Sequence, residues 1–387
     1  MSLAITGWSV LCSAGIGVDA FTGLLDAHGD GASRAPDVRG LYEDALPAAT
    51  AHAFVDLNVR ATLGRKNTTS LDRRTVLALI ACRDALGDGG VRVDDETRHR
   101  IGVTLGTTWG SLKAMSDYTK ESLLEDRPYL VEPARFPNTV MNCAAGQAAI
   151  WFGLKGVNAT IAGGHLAFLN VIDYTANLLR CGYADTILAG AVEEFTPHNA
   201  WANDLTRGNG TAGASGSNGS NGSGLAGEAA AVFVIERADE ARAAGRRIDA
   251  DVLSVATGFA PGGAAGGRLR TSLAGCLRRA LARAGVAPEA ISVIVSSDAS
   301  GDARESVEAG AVADVFGNAA PVRLAPRAIV GDCQAAMGAM QVASLLAWHR
   351  GRPARDGAVS LITGWTDDGG VGAAVVKGWN RAGSDRG

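Results

Sequence analysis

The chain has 387 residues, of which 47% are hydrophobic and 20% charged, with a formal net charge of −4. That balance excludes a disordered chain, and the length is enough to bury a large core without disulfides or a structural metal. The acidic charge argues against nucleic acid as a partner, because neutralising phosphates needs a basic face.

In chain order, short apolar runs alternate with helical patterns. Strands are expected at 3–10, 101–105, 159–162, 186–191, 230–236, 252–257, 291–296, 359–363 and 372–377. They are rich in Val, Ile and Ala and read as buried on both faces. Helices are expected at 70–87, 165–180, 269–284 and 334–349. The alternation predicts α/β layering. The glycine-, serine- and asparagine-rich run 208–224 reads as a flexible surface loop, and 382–387 as a frayed tail. A faint internal repeat is visible. An apolar segment, a glycine and a polar residue precede a helix at His165 and again at Asp332. The repeat predicts two similar halves, 1–240 and 241–387.

The six cysteines, Cys12, Cys82, Cys143, Cys181, Cys276 and Cys333, show no C-x-x-C spacing. No zinc site or redox pair is expected, and a reducing cytoplasm is the expected location. The six histidines show no metal-ligand grouping, and no metal or cofactor is expected. The first residues lack a signal peptide's basic region, and no uncharged apolar run reaches the roughly 18 residues of a membrane span.

Several segments carry a resemblance by their order and spacing. They are Gly7-Trp8-Ser9-Val10-Leu11-Cys12-Ser13-Ala14-Gly15, Ile101-Gly102-Val103-Thr104-Leu105-Gly106, Gly153-Leu154-Lys155-Gly156-Val157-Asn158, Ala189-Gly190-Ala191-Val192-Glu193-Glu194, Gly227-Glu228-Ala229-Ala230, Phe316-Gly317 and the stretch from Gly331 to Gly338. Together they resemble the β-ketoacyl synthases, which implies a thiolase-like five-layer αβαβα fold of two similar halves. Counting on from Gly156 and back from Gly182, the family's nucleophilic cysteine falls on His165. Its two histidines fall on Ser297 and Asp332, and its lysine on Arg327. The resemblance therefore implies a site with no catalytic residues.

Condensation needs a thiolate that carries an acyl thioester, and decarboxylation needs neutral imidazoles facing a developing enolate. An ionised Asp332 would repel that enolate. This pattern is similar to the chain-length factors of type II polyketide synthases. Such a factor forms a 1:1 heterodimer with an active ketosynthase subunit and shapes the tunnel for the carrier-protein-bound polyketide. Aromatic-type factors usually carry glutamine followed by A-G-G at the cysteine position. Histidine here, with Gly163 and Gly164 before it, points to the reducing, polyene-type branch. The resemblance places Leu112, Met115 and Thr119 in the tunnel, Phe136 to Met141 near the partner, and Ala159, Thr160, Ile161 and Ala162 in the dimer strand.

Each residue also has a plainer reading. His165 is a plug or a packed neutral core histidine, and Asp332 a cap for the following helix. Arg327 pairs with Glu308 or Asp332. Cys143 and Cys333 are inert buried thiols. Ser111 is not in a nucleophile elbow, and Glu193-Glu194 is structural. Leu112, Met115 and Thr119 share one helix face and from periodicity alone are a core stripe. Two rivals remain: an acyltransferase or hydrolase rebuilt around His165, Ser297 and Asp332, and a homodimeric scaffold.

Overall fold

A computed structural model describes residues 2–29, 35–64, 66, 68–209, 225–263, 267–297, 307–317, 319 and 321–380. The expected segments 210–224, 298–301 and 382–387 lie outside these residues. The chain begins with β1 (Leu3–Cys12), β2 (Gly15–Ile16), α1 (Val18–Gly29), α2 (Val59–Leu63) and α3 (Arg73–Asp88). Next come β3 (Ile101–Thr107), α4 (Leu112–Leu124), α5 (Cys143–Phe152), β4 (Asn158–Ala162), α6 (Ala167–Arg180), β5 (Thr186–Glu193), α7 (Pro197–Asn209) and β6 (Ala229–Arg237). After α8 (Ala238–Ala243) follow β7 (Ala250–Phe259), α9 (Leu269–Ala284), β8 (Ile291–Val295), α10 (Val307–Phe316), β9 (Val322–Leu324), α11 (Arg327–Val330), α12 (Met337–His349), β10 (Val359–Trp365) and β11 (Gly370–Gly378).

The strands run in the order β4-β3-β5-β6-β1-β7-β11-β10-β8-β9, with β2 appended to β1. Outward from β1 the order is first, fifth, fourth, second, third strand of the N-terminal set, and outward from β7 it is the same for the C-terminal set. The senses repeat too. β3 is parallel to β4 and β5 while β6 is antiparallel to β5; β8 is parallel to β9 and β10 while β11 is antiparallel to β10. The two sets meet where β1 pairs with β7, Leu3 opposite Val252, Ala4 opposite Asp251 and Ile5 opposite Ala250.

Helices make the layers. α3 and α5 cover the outer face of the N-terminal set, with Val76, Leu79, Ile80 and Ala148 in its core. α9 covers the outer face of the C-terminal set through Leu273, Cys276, Leu277 and Ala280. α6 and α12 lie between the two sets, where Phe168, Leu169, Ile172, Met340 and Leu345 are sealed from solvent. This is the five-layer αβαβα arrangement. Sheets covered on both faces account for strands that read as nearly unbroken apolar runs, with exposed positions confined to Ser292 in β8, the edge strands and strand ends.

Boundaries moved where glycine or strain breaks a helix. The helix expected from 165 starts at Ala167, after a 3-10 turn over Gly164–Leu166 in which Gly164 has φ +51°. The helix expected from 334 starts at Met337, because Gln334 takes the left-handed region at φ 44°. The expected loop from 208 begins later, since Gly208 and Asn209 end α7, a helix opened by Pro197 at its first turn.

Asp249 sits at the seam of the two halves and is 3% exposed. Its N–H donates to the Ile5 carbonyl at 2.8 Å, and its own carbonyl accepts from the Trp379 N–H at 2.9 Å. Burial, and then the nearby Asp88, push its carboxyl up to about 7, with Arg350 opposing. The folded protein thus keeps a proton that the unfolded chain releases near pH 4. This group lowers stability progressively as pH rises from about 4 to about 7. Asp249→Asn should recover on the order of 2 kcal/mol at pH 8 and little at pH 4.5. Urea unfolding at both pH values checks this, and an equal effect at both would contradict it.

Candidate functional site

Two equivalent turns, one from each set of strands, face each other in the middle of the molecule. β4 ends at Ala162, and the left-handed Gly164 turns the chain so that His165 stands at the entrance to α6. In the second set α11 ends at Gly331, φ +74°, and Asp332 follows before α12. A side chain at 331 would run into the Leu225 carbonyl at 2.8 Å, so glycine is needed there for space as well as for φ.

His165 Nε2 lies 2.7 Å from Asp332 Oδ1. Arg327 Nη2 donates to Asp332 Oδ2 at 2.5 Å, and the Gln334 N–H donates to Oδ1 at 3.0 Å. Burial alone would favour the neutral acid, but the charge and hydrogen bond of His165, then Arg327, then the Gln334 N–H, hold the Asp332 carboxyl well below the usual carboxylate range. The bond from Gln334 agrees with a capping role. The stronger partners are the His165 ring and the Arg327 guanidinium, and Arg327 chooses Asp332 rather than Glu308. The core reading of His165 is corrected: its side chain keeps 31% exposure and meets a cavity. A Cβ at the preceding Gly164 would meet nothing within 4 Å, whereas one at Gly163 would press on Asn170 and Ala167.

That cavity holds about 400 Å³ and is lined by His165, Ser297, Arg327 and Asp332 together. Trp109, after β3, and Trp365, ending β10, form other parts of its wall. Sequence reasoning missed both tryptophans, although each stands at the C-terminal end of a core strand, where a site is expected in an α/β sheet. Ser297 is held by Glu308. Its N–H and Oγ both donate to Glu308 Oε2, at 3.1 and 2.7 Å, and Glu308 Oε1 accepts from Thr363 Oγ1 at 2.6 Å. Glu193 accepts the Thr108 N–H at 2.9 Å beside the cavity, and burial pushes its carboxyl up to about 7. Glu194 points elsewhere, accepting from Ser111 Oγ at 2.8 Å. The two carboxylates therefore act as separate struts.

No cysteine lines the cavity. Cys143 Sγ donates to Asn138 Oδ1 at 3.5 Å, and burial pushes its thiol up. Burial raises the Cys333 thiol further, and Cys12 and Cys82 to about 11 and about 12. Cys181 alone among the six is exposed.

Leu112, Met115 and Thr119 do not form a core stripe. No residue of α4 is buried. The three line an open apolar groove of about 520 Å³ with Leu123, Leu124 and His198. Ala159, Thr160, Ile161 and Ala162 lie in β4, the last strand of the sheet, the first three half-buried and Ala162 exposed, with one edge unpaired among the described residues. Ten large apolar side chains between Trp109 and Ile150 are exposed, among them Phe136 and Met141, with Ile150 at 76%.

Residues 2–241 match the beta-ketoacyl synthase N-terminal domain, and residues 261–351 its C-terminal domain. The chain belongs to the beta-ketoacyl synthase family. Within that family it is 27% identical to the 3-oxoacyl-[acyl-carrier-protein] synthase 2 of Coxiella burnetii, across 89% of this chain and 85% of that one. It is 26% identical to the enzyme of the same description from Staphylococcus aureus, across 68% of this chain and 66% of that one, just under two thirds of its length. A chain of the ishigamide ketosynthase/chain length factor superposes with a TM-score of 0.81 at 31% identity, covering 98% of this chain and all of that one. A chain from a type II polyketide synthase acyl-carrier protein in complex with its ketosynthase shares the fold, with a TM-score of 0.74 at 18% identity, over 97% of this chain and 99% of that one.

For this ketosynthase-family chain the cavity's chemistry is that of a fixed ion-pair network. A buried carboxylate held between an arginine and a histidine ring is costly to break from one side. Asp332→Ala should lose about 2–3 kcal/mol at pH 7 in urea unfolding, discounted because His165 and Arg327 keep partial access to water. The folded pKa of Asp332 is depressed. Its contribution is therefore present above the unfolded value near 4 and fades as pH falls below it, and the variant should converge on the parent at low pH. A separate check concerns the thiols. Iodoacetamide at pH 7.5 should label Cys181 in the native protein and leave Cys143 and Cys333 unmodified by mass spectrometry, because buried raised-pKa thiols present almost no thiolate.

Proposed function

We propose that the chain is a non-catalytic chain-length factor. It pairs 1:1 with an active ketosynthase subunit in the cytoplasm and shapes the tunnel in which a carrier-protein-bound polyketide grows, in a reducing, polyene-type type II system. Its ketosynthase-like halves are taken as 1–240 and 241–387. The observation that carries the reading is the central cavity built around His165, Asp332 and Arg327 with no thiol in its wall. A carboxylate kept ionised there opposes the negative charge that decarboxylation and condensation develop. His165, Ser297, Arg327 and Asp332 stand in this reading where the family's cysteine, first histidine, lysine and second histidine stand.

Two further observations support it. The exposed apolar side chains between Trp109 and Ile150 and the unpaired edge of β4 are what a chain with an obligate partner leaves uncovered by itself. The 31% identity to a chain of the ishigamide ketosynthase/chain length factor, over nearly the full length of both, agrees. A hydrolase built on His165, Ser297 and Asp332 has less support, because Ser297 Oγ donates to Glu308 and not to the His165 ring.

The deciding experiment is the native mass of the chain purified from its source cells, with each co-purifying subunit identified. A stoichiometric ketosynthase that keeps its cysteine is expected. A lone homodimer, or turnover by the isolated chain, would overturn the proposal. In an active complex, Met115→Trp should move the product distribution to shorter chains, because the bulk fills the groove along α4. Unchanged products would remove Leu112, Met115 and Thr119 from the tunnel.

A further inference from the structure

A smaller cavity of about 210 Å³ lies on the far side of the α11 turn, between α1, β9 and α12. Leu25, Leu324, Pro326, Ile329 and Trp348 supply apolar walls. One polar group inside has no partner among the described residues: Ser344 is 2% exposed, and its Oγ makes no hydrogen bond to any of them. Thr22 Oγ1, the other hydroxyl on the wall, is already committed to the Val18 carbonyl at 2.8 Å. Asp26 and Arg352, 3.5 Å apart, belong to the same cavity and keep contact with solvent.

Size and polarity together narrow the occupant. An apolar cavity of about 150 Å³ is enough to take up benzene, and a buried water wants two to four polar partners. This cavity is larger than that and offers a water one free interior group. An apolar molecule with a single hydrogen-bonding oxygen satisfies both the walls and Ser344. The cavity also shares a wall with the central site. Pro326 and Ile329 line it, while Arg327, between them in sequence, reaches the other way to Asp332. We propose that it binds a small single-ring alcohol or carbonyl compound, and that occupancy is felt at His165 through α11, Arg327 and Asp332.

The test needs no assumption about chain-length control and uses the full chain in the assembly in which it purifies. Benzyl alcohol and toluene serve as probes in saturation-transfer NMR titrations. Benzyl alcohol should bind saturably and about 3- to 10-fold more tightly than toluene, the worth of one ordinary hydrogen bond. Ser344→Ala should abolish that preference. Ala347→Leu fills the cavity from α12, and Leu25→Trp fills it from the half-buried α1 wall; either should abolish binding of both probes in a variant whose melting temperature is retained. Absence of saturable binding, or binding indifferent to both filling variants, would overturn the site. Benzyl alcohol should also shift the His165 ring signals in the parent and not in the filled variants. Binding without that shift would overturn the coupling.

Discussion

One buried carboxylate ties the molecule together at its centre. Asp332 takes hydrogen bonds from His165, 167 positions away in sequence, from Arg327 and from a backbone N–H. Each bond offsets part of the cost of removing the charge from water, and none would suffice alone. The partners come from both repeats, and the Asp332 turn is tied to the N-terminal half a second time by backbone bonds to Leu225 and Gly227, at 2.8 and 2.9 Å.

The backbone around the network is arranged to serve it. Gly164 and Gly331 each take a left-handed conformation one residue before the functional side chain, and Gln334 takes one without being glycine. The Gln334 strain is held by the bond from its N–H to Asp332. α6 and α12 pack between the sheets, and the turns that lead into them meet at the His165–Asp332 bond. Buried carboxylates outside the network do structural work: Glu308 anchors Ser297, and Glu193 anchors Thr108.

Outside this centre, apolar surface is unevenly spread. It is concentrated along α4, the segment from Phe136 to Met141, and Ile150, and β4 offers an edge that is unpaired among the described residues. Helix α4 has a sound apolar spacing and yet no buried residue. This is why periodicity misread Leu112, Met115 and Thr119 as a core stripe. The pattern reports that a face wants burial and is silent on which chain supplies it.

Strands such as Ile101–Thr107 and Thr186–Glu193, and the helix Leu269–Ala284, were legible because their apolar spacing follows from burial that any α/β layering imposes. The repeat around His165 and Asp332 was legible for the same reason, since each opens a buried helix after a glycine. The short strand Val322–Leu324, flanked by prolines, carried too little pattern to be seen. The sequence by itself determined the layered architecture and which residue types stand at the centre. Only the tertiary structure decided that Asp332 pairs with His165 and Arg327 while Ser297 turns to Glu308, and that the thiols are sealed away from the cavity. Those choices depend on distances between segments remote in the chain, and no local spacing encodes a distance across two packed sheets.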